Sequence, residues 1–381
     1  MPYETTDDRL AHLVEHSNGI SRAEVASALH LPAPTVTSAV RRLLDDGLAV
    51  ERPISAPRAV AGRRPHLLFP AGPRRALGVV VWQRDTFELL VADYGGTVLH
   101  RESSPADVDA EDAMAFAPAI ESLRATTASF TEPTELTAVV VSLPAPFQQG
   151  VGSVGRLLPD GGPTFYAGLA EDPAGPLSAH FGLDVYVEND ANLAALGEFG
   201  AGAGRGYPDL LYVLLFGDSI GSGLIVNGHL VRGATGYAGE LAHVQVDADG
   251  PLCACGGRGC LGRRLGAGLL DSVQSAYAEP VTFHDLLAMA ARGDAGPARI
   301  LTDLGRSVGR PIADVCTVLN PGRVVVDGRL GAAAQFVVDG IREQVVRFTP
   351  PAIGASVSVA VGAIDADAAV HGAVHLARTG A

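Results

Sequence analysis

The chain has 381 residues, 47% of them hydrophobic and 18% charged, and a formal net charge of −14. That length is too great for one compact core and predicts two or three domains, while the composition excludes long disorder. The longest uninterrupted apolar stretch, residues 210–216, is far shorter than a membrane span, and the acidic N-terminus has no apolar signal-like region; a cytoplasmic protein with no membrane partner is expected.

The charge is unevenly spread. Residues 1–75 carry ten Arg against eight Asp plus Glu, a balance of +2, so the rest of the chain carries −16. An acidic body repels DNA and a mildly basic head does not, so the distribution permits a DNA-binding head without proving one. No Lys occurs, and every fixed side-chain cation is therefore Arg.

In chain order, residues 6–70 read as three helices and a hairpin. Leu10, Leu13 and Val14 share one helical face, and Asn18 and Gly19 end that helix. Ser21 and Glu24 have the spacing of a capping box, with Ile20 placed to staple the entry of the second helix. Val25 and Leu29 give its buried stripe. His30, Leu31 and Pro32 make a turn, and Pro34 suits the first turn of a third helix. There Val36, Val40 and Leu43 recur at i, i+4 and i+7 and face inward, which leaves Thr35, Thr37, Ser38, Arg41 and Arg42 outside. Residues 48–50 and 66–69 read as paired strands, with Arg63 and Arg64 near the hairpin tip. This is the layout a winged helix-turn-helix needs: the third helix enters the major groove, and the arginine wing follows the minor groove or backbone. The alternative is a small helical packing domain with a solvated polar face.

Residues 53–73, rich in Pro, Ala, Gly and Arg, read as wing and linker. Beyond them come strands at 77–82, 87–92, 97–99, 136–143, 185–187, 210–216, 223–226 and 323–327. Helices fall at 111–130, 191–198, 302–318 and 365–378. Strands alternating with helices indicate α/β architecture.

Four body segments then carry a resemblance: Glu188 to Asn192, Ala238 to His243, Cys253 to Leu261, and Leu319 to Pro321. In order and spacing they resemble the ROK family of repressors, open reading frames and sugar kinases. The similarity runs along residues 76–380, and the head resembles the winged domain of the family's regulator branch. The fold this implies is an N-terminal winged helix-turn-helix (residues 1–72) followed by an actin-like, ribonuclease-H-like, two-lobed sugar-kinase-type domain (residues 73–381).

Three of the four cysteines fall within eight residues, in the pattern His243-x9-Cys253-x-Cys255-x4-Cys260. One imidazole and three thiolates suit a tetrahedral Zn²⁺ with no open position, hence a structural site; a cluster of free thiols is the alternative. The resemblance implies that this site serves repressor function through dimer or domain geometry. Cys316 reads as a core thiol.

The resemblance also implies that Asp190 occupies the kinase's catalytic-base position and that Asn189, Glu240 and His243 are sugar contacts. Read as residues alone, Asn189 and Asp190 equally suit a strand-to-helix turn with a capping Asp. The phosphate loops depart from the kinase pattern. The family's Asp-x-Gly-Gly-Thr segment reads Val80, Val81, Trp82, Gln83, Arg84 here, and Trp82 is expected to crowd the γ-phosphate. Asp218 replaces a usual Thr in the second glycine loop and would repel a nucleotide phosphate. The sugar site departs as well: Gly262 stands where a Glu is usual and Ala145 where a Gly is usual, and the expected downstream Asn-Leu segment is absent around residues 156–159.

These features lead to a transcriptional regulator, expected to be a repressor, that binds a double-stranded DNA operator as a homodimer or homotetramer. Its kinase activity is expected to be lost and its DNA affinity to be set by a carbohydrate-like effector. The alternatives are a regulator without a sugar ligand that answers to a protein partner, and an active sugar kinase with an accessory head. A ligand that closes the two lobes would alter the spacing of two heads.

Overall fold

The computed structural model describes residues 6–15, 17, 19–53, 66–83, 86–106, 112–152, 169, 171–216, 219–253, 255–265, 273–274 and 276–380. The chain begins with three helices, α1 (Thr6–Glu15), α2 (Arg22–Leu29) and α3 (Ala33–Asp45). An antiparallel ribbon of β1 (Ala49–Pro53) and β2 (His66–Pro70) follows. Ser21 caps α2 reciprocally with Glu24, as the spacing requires. Leu10, Val14, Val25, Val36, Val40, Leu43 and Leu68 form the buried core of this unit. Ile20 bridges to Leu68 and so fastens the ribbon to the helices. The ribbon tip with Arg63 and Arg64 lies outside the described residues.

Two five-stranded sheets follow. The first has β3 (Arg74–Gln83), β4 (Thr86–Asp93), β5 (Val98–Pro105), β6 (Thr134–Leu143) and β7 (Asp184–Asn189) in the order β5-β4-β3-β6-β7. The second has β8 (Leu210–Phe216), β9 (Ser219–Val226), β10 (His229–Leu230), β11 (Arg323–Val326) and β12 (Ser358–Val361) in the order β10-β9-β8-β11-β12. Each is three antiparallel strands extended by two parallel ones. The same plan is thus used twice, as the expected two-lobed α/β body requires. Parallel strands buried on both faces read as continuous apolar runs, which is why residues 138–141 and 324–326 were legible as strands.

Helices cover the sheets in layers. α4 (Ala117–Ala128) and α5 (Ala174–Phe181) cover the first. α6 (Asp190–Gly200) is followed by α7 (Leu261–Leu265), α8 (Phe283–Ala291), α9 (Ala295–Leu319), α10 (Ala334–Phe348), α11 (Pro351–Ser356) and α12 (Ala368–Thr379). α8, α9 and α10 cover the outer face of the second sheet. α6 and α12 cross between the sheets, in a core that joins Leu77, Val79 and Val140 of one to Leu210, Tyr212 and Val325 of the other. Their backbones touch there. A Cβ on Gly372 would lie 1.8 Å from the Leu193 carbonyl oxygen, and one on Gly197 would lie 2.1 Å from that of Ala368.

Several boundaries differ from the sequence reading. β5 continues to Pro105, because its alternating exposed and half-buried side chains suit an edge strand. The long helix starts at Ala295, with Pro297 in its first turn, where no amide partner is lost. The helix placed over 111–130 is Ala117–Ala128, and the last helix begins at Ala368. No described helix is long and apolar enough to cross a membrane.

Candidate functional site

Three places bring the singled-out residues together: the outer face of α3, the cleft between the sheets, and a Cys/His cluster at its edge. On α3, Val36, Ala39, Val40 and Leu43 are buried, while Thr35, Thr37, Ser38, Arg41 and Arg42 are all exposed. Thr37 donates its hydroxyl to the Ala33 carbonyl at 2.9 Å. The two arginines differ. Arg41 has only a loose contact, 3.8 Å to Asp45. Arg42 forks onto Asp7 of α1, Nε donating to Oδ2 and Nη2 to Oδ1, both at 2.7 Å.

The cleft between the sheets is placed at the C-terminal ends of β7 and β11, where Asp190 and Asp327, the residues that follow them, come within electrostatic reach; α/β sheets hold ligands at that end. Asn189 ends β7 and caps α6: its side-chain oxygen accepts from the Ala191 and Asn192 amides at 2.9 and 3.1 Å, and its Nδ2 donates to the Ala145 carbonyl at 3.1 Å. The cap is therefore Asn189, not Asp190 as the residues alone suggested. The reason is local. Asn189 has extended backbone (φ −63°, ψ 143°), whereas Asp190 is already the first helical residue.

Asp190 sits at the N-terminus of α6, its carboxylate accepting from the Ala191 amide at 2.7 Å. Burial pushes its carboxyl up to about 6, against that hydrogen bond and the charge of Arg329. Glu240 approaches from the second sheet's side. Burial, and then the Asp190 carboxylate, push it up to about 7. The structure thus brings Asp190 and Glu240 within electrostatic reach. Gly262 packs its backbone near Ala242 and presents no side chain to the cleft.

Sequence reasoning missed two ion pairs here. Asp327, fully buried just beyond β11, accepts from Arg329 Nε and Nη2 at 3.0 and 2.8 Å, and this pair faces Asp190. The sequence reading counts Asp327 only as a strand's last residue; its position at a parallel strand's C-terminal end was the available signal. Arg232, just after β10, donates to the buried Glu188 of β7 at 2.6 Å, an ion pair tying the two halves together. Trp82 requires a correction. It is buried in the core of the first sheet, edge-on to Phe116 at 6.0 Å, so it does not crowd the cleft. Arg84, Gly217, Asp218 and residues 156–159 lie outside the described residues.

The cluster is His243, Cys253, Cys255 and Cys260, whose ligand atoms all lie within 4.8 Å of one another. His243 turns Nδ1 toward the Cys253 sulfur at 3.7 Å, and the Cys255 and Cys260 sulfurs are 3.5 Å apart. A tetrahedral ion with metal–sulfur bonds of about 2.3 Å places its ligands roughly 3.7 Å apart, so the donor set fits. Burial, and then hydrogen bonds to Cys255 and Cys253, push the Cys260 thiol up to about 12. The turn that gathers these groups needs glycine: Gly259 has φ +63°, and a Cβ there would lie 1.6 Å from the Asp247 carbonyl oxygen. Cys316 is buried in the core beneath the second sheet, away from the cluster.

A sequence model of the ROK family matches residues 84–380. The chain is 31% identical to the xylose repressor of Bacillus subtilis strain 168 over 166 residues, 43% of each chain. It is 30% identical to the DNA-binding transcriptional repressor Mlc of Escherichia coli K12 over 235 residues, 59% of this chain and 56% of that one. The glucokinase of Thermotoga maritima is 30% identical over 220 residues, 53% of this chain and 68% of the kinase. The chain thus matches about half the length of each of these two repressors. Among solved structures, a ROK family transcriptional regulator, a homolog of the E. coli Mlc protein, superposes with a TM-score of 0.73 at 22% identity. That match covers 97% of this chain and 95% of the other. A ROK glucokinase from Streptomyces griseus, in complex with glucose and AMPPNP, superposes with a TM-score of 0.61 at 23% identity, covering 79% of this chain and 98% of the kinase.

Proposed function

This chain belongs to the ROK family, and on that premise we propose that it is a DNA-binding transcriptional regulator, a repressor, whose residues 1–72 bind a double-stranded operator and whose residues 73–381 bind an effector and a second copy of the chain. The observation that carries this is the outer face of α3. Thr35, Thr37, Ser38, Arg41 and Arg42 are exposed beside a ribbon, on a helix whose opposite face is fully buried. A helix so divided presents hydroxyl and guanidinium donors to base edges and phosphates, and Arg63 and Arg64 would add wing contacts. The match in coverage supports the same division: the solved kinase leaves unmatched a share of this chain about the size of the three-helix unit, and the solved regulator does not.

The cleft is the effector site in this reading, with Asp190, Glu240 and His243 facing a polyol. Adjacent carboxyl and imidazole groups can both donate to and accept from vicinal hydroxyls. Phosphoryl transfer is taken to be lost. Asp190 keeps the position of a general base, but the strand that would lead into the phosphate loop reads Val80, Val81, Trp82, with no Asp or Gly. A narrower reading, regulation without any sugar, is favoured by Asn189, whose side-chain oxygen is taken up by the α6 cap, together with Gly262, which offers no carboxylate.

His243 through Nδ1, with Cys253, Cys255 and Cys260, would hold a structural Zn²⁺, which supplies a four-armed crosslink and no reactive water. That crosslink fixes the segment carrying Glu240, so a ligand that moves Glu240 moves a rigid loop. Closure of the cleft would then reset the separation of two operator-reading units in a dimer.

Two measurements test the proposal together. Binding of the full chain to promoter fragments, followed by anisotropy, should be saturable and weaken steeply with salt. Calorimetry against a panel of sugars and sugar phosphates, with DNA affinity measured with and without each, separates the two effector readings. A ligand that binds yet leaves operator affinity unchanged contradicts the first.

A further inference from the structure

Of the two arginines on the outer face of α3, one is already engaged. Arg42 makes two parallel, charge-assisted hydrogen bonds to Asp7, at 2.7 Å each, through the Nε–Nη2 edge of its guanidinium. A phosphate group offers the same pair of acceptor oxygens, and arginine binds carboxylate and phosphate with the same fork geometry. Asp7 lies in the first turn of α1, whose Leu10 and Val14 are locked in the core, so its carboxylate is delivered to α3 by packing. The helix geometry places Ser38 and Arg41 opposite the buried stripe and puts Arg42 on the flank that faces α1.

The pair is not a core tie. The Arg42 and Asp7 side chains are 54% and 40% exposed, and ion pairs this open contribute little to folding. The neighbouring guanidinium holds the Asp7 carboxyl below its ordinary range, so the competitor is ionised at neutral pH. An exposed, breakable pair on the edge of a nucleic-acid face is suited to exchange.

We propose that Arg42 is a site for one phosphate of the nucleic-acid backbone, and that Asp7 is its resident competitor, occupying the guanidinium fork until a phosphate takes the carboxylate's place. The assignment rests on the DNA-binding reading above. It gives Asp7 a role in setting the level of DNA affinity: every duplex, matched or not, must displace it, so the same fold-penalty falls on both and the preference between them is unchanged.

The test uses the full chain, fluorescence anisotropy and two duplexes, one from its promoter and one of scrambled sequence, across about 50–200 mM salt. Asp7→Asn should bind both duplexes several-fold more tightly at low salt, by the same factor. Its slope of log affinity against log salt should steepen by up to about 0.9, the value of one added phosphate contact. Asp7→Glu, which can rebuild the fork, should stay near the wild type. Arg42→Gln should flatten the slope, and Asp7→Asn combined with Arg42→Gln should lose the gain. The assignment is overturned if Asp7→Asn leaves slope and affinity unchanged, if its gain persists in full without Arg42, or if Arg42→Gln leaves DNA binding untouched. A wild-type chain that binds neither duplex overturns the DNA-binding reading itself, a result distinct from these.

Discussion

Glu240 lies 4.0 Å from Nε2 of His243, while Nδ1 of the same ring lies 3.7 Å from the Cys253 sulfur. One imidazole therefore stands between the cysteine cluster and the cleft. A histidine bound to metal through one nitrogen is oriented by what its other nitrogen meets, so the state of the cluster and the orientation of Glu240 are linked.

Loss of the cluster should therefore be felt beyond it. The proposed zinc, read by elemental analysis, should amount to one ion per chain in the wild type and to near none after Cys255→Ser or dialysis against a strong chelator. Stability should fall by on the order of 3 kcal/mol or more, as structural zinc sites contribute to folding directly. Cys316→Ala should leave the zinc content unchanged and cost about 1 kcal/mol, the loss of a small buried side chain.

The pH dependence of stability should carry the mark of Asp190. Its carboxyl is raised from 3.8 to about 6 by burial. The folded chain therefore keeps this proton where the unfolded chain has released it. The stabilisation is complete below about pH 4 and is lost as pH rises through about 6. Asp190→Asn should be more stable than the wild type at pH 7–8 by roughly 2–3 kcal/mol, with the difference vanishing near pH 4. Urea melts at a series of pH values read this directly, and a variant equally or less stable at pH 8 would contradict it.

The α6–α12 crossing makes a steric prediction. A methyl at Gly372 would meet the Leu193 carbonyl oxygen at 1.8 Å. Neither helix can yield cheaply, because both are packed between the two sheets. Gly372→Ala should lower stability by about 2–3 kcal/mol or more, whereas Gly206→Ala, with open space around it, should incur only the smaller cost of its left-handed backbone.

Arg41 and Arg42 should separate in their effects on DNA. Arg41, opposite the buried stripe and only loosely held by Asp45, is the residue proposed for base contact. Arg41→Ala should weaken specific binding by about 1–3 kcal/mol and relax the preference for promoter over scrambled DNA. Arg42→Ala should weaken both duplexes alike.

Much of this architecture was legible because its signals are local. The capping box of Ser21 and Glu24, the 3.6-residue recurrence of Val36, Val40 and Leu43, and the apolar runs of β6, β8 and β11 each declare an element within a few residues. The Cys253, Cys255, Cys260 spacing likewise declares a metal-type cluster. What stayed hidden depends on distant partners. Arg329 reaches Asp190 only after β11 and α6 meet between the sheets, and the Arg232–Glu188 pair joins residues 44 apart in sequence. β12 has only four residues and exists because β11 offers it a parallel edge. Asn189 and Asp190 are both good caps, and only the backbone at the end of β7 decides between them.

The outer face of α3 is proposed to bind duplex DNA, on a body proposed to have lost phosphoryl transfer. The most direct test is a gel shift of the purified chain on its promoter fragment at low ionic strength, run beside an ATP-consumption assay with hexoses on the same sample. A saturable, salt-sensitive shift that Arg41→Ala weakens, with no turnover, is the expected result. A chain that leaves the fragment unshifted and phosphorylates a hexose would contradict it.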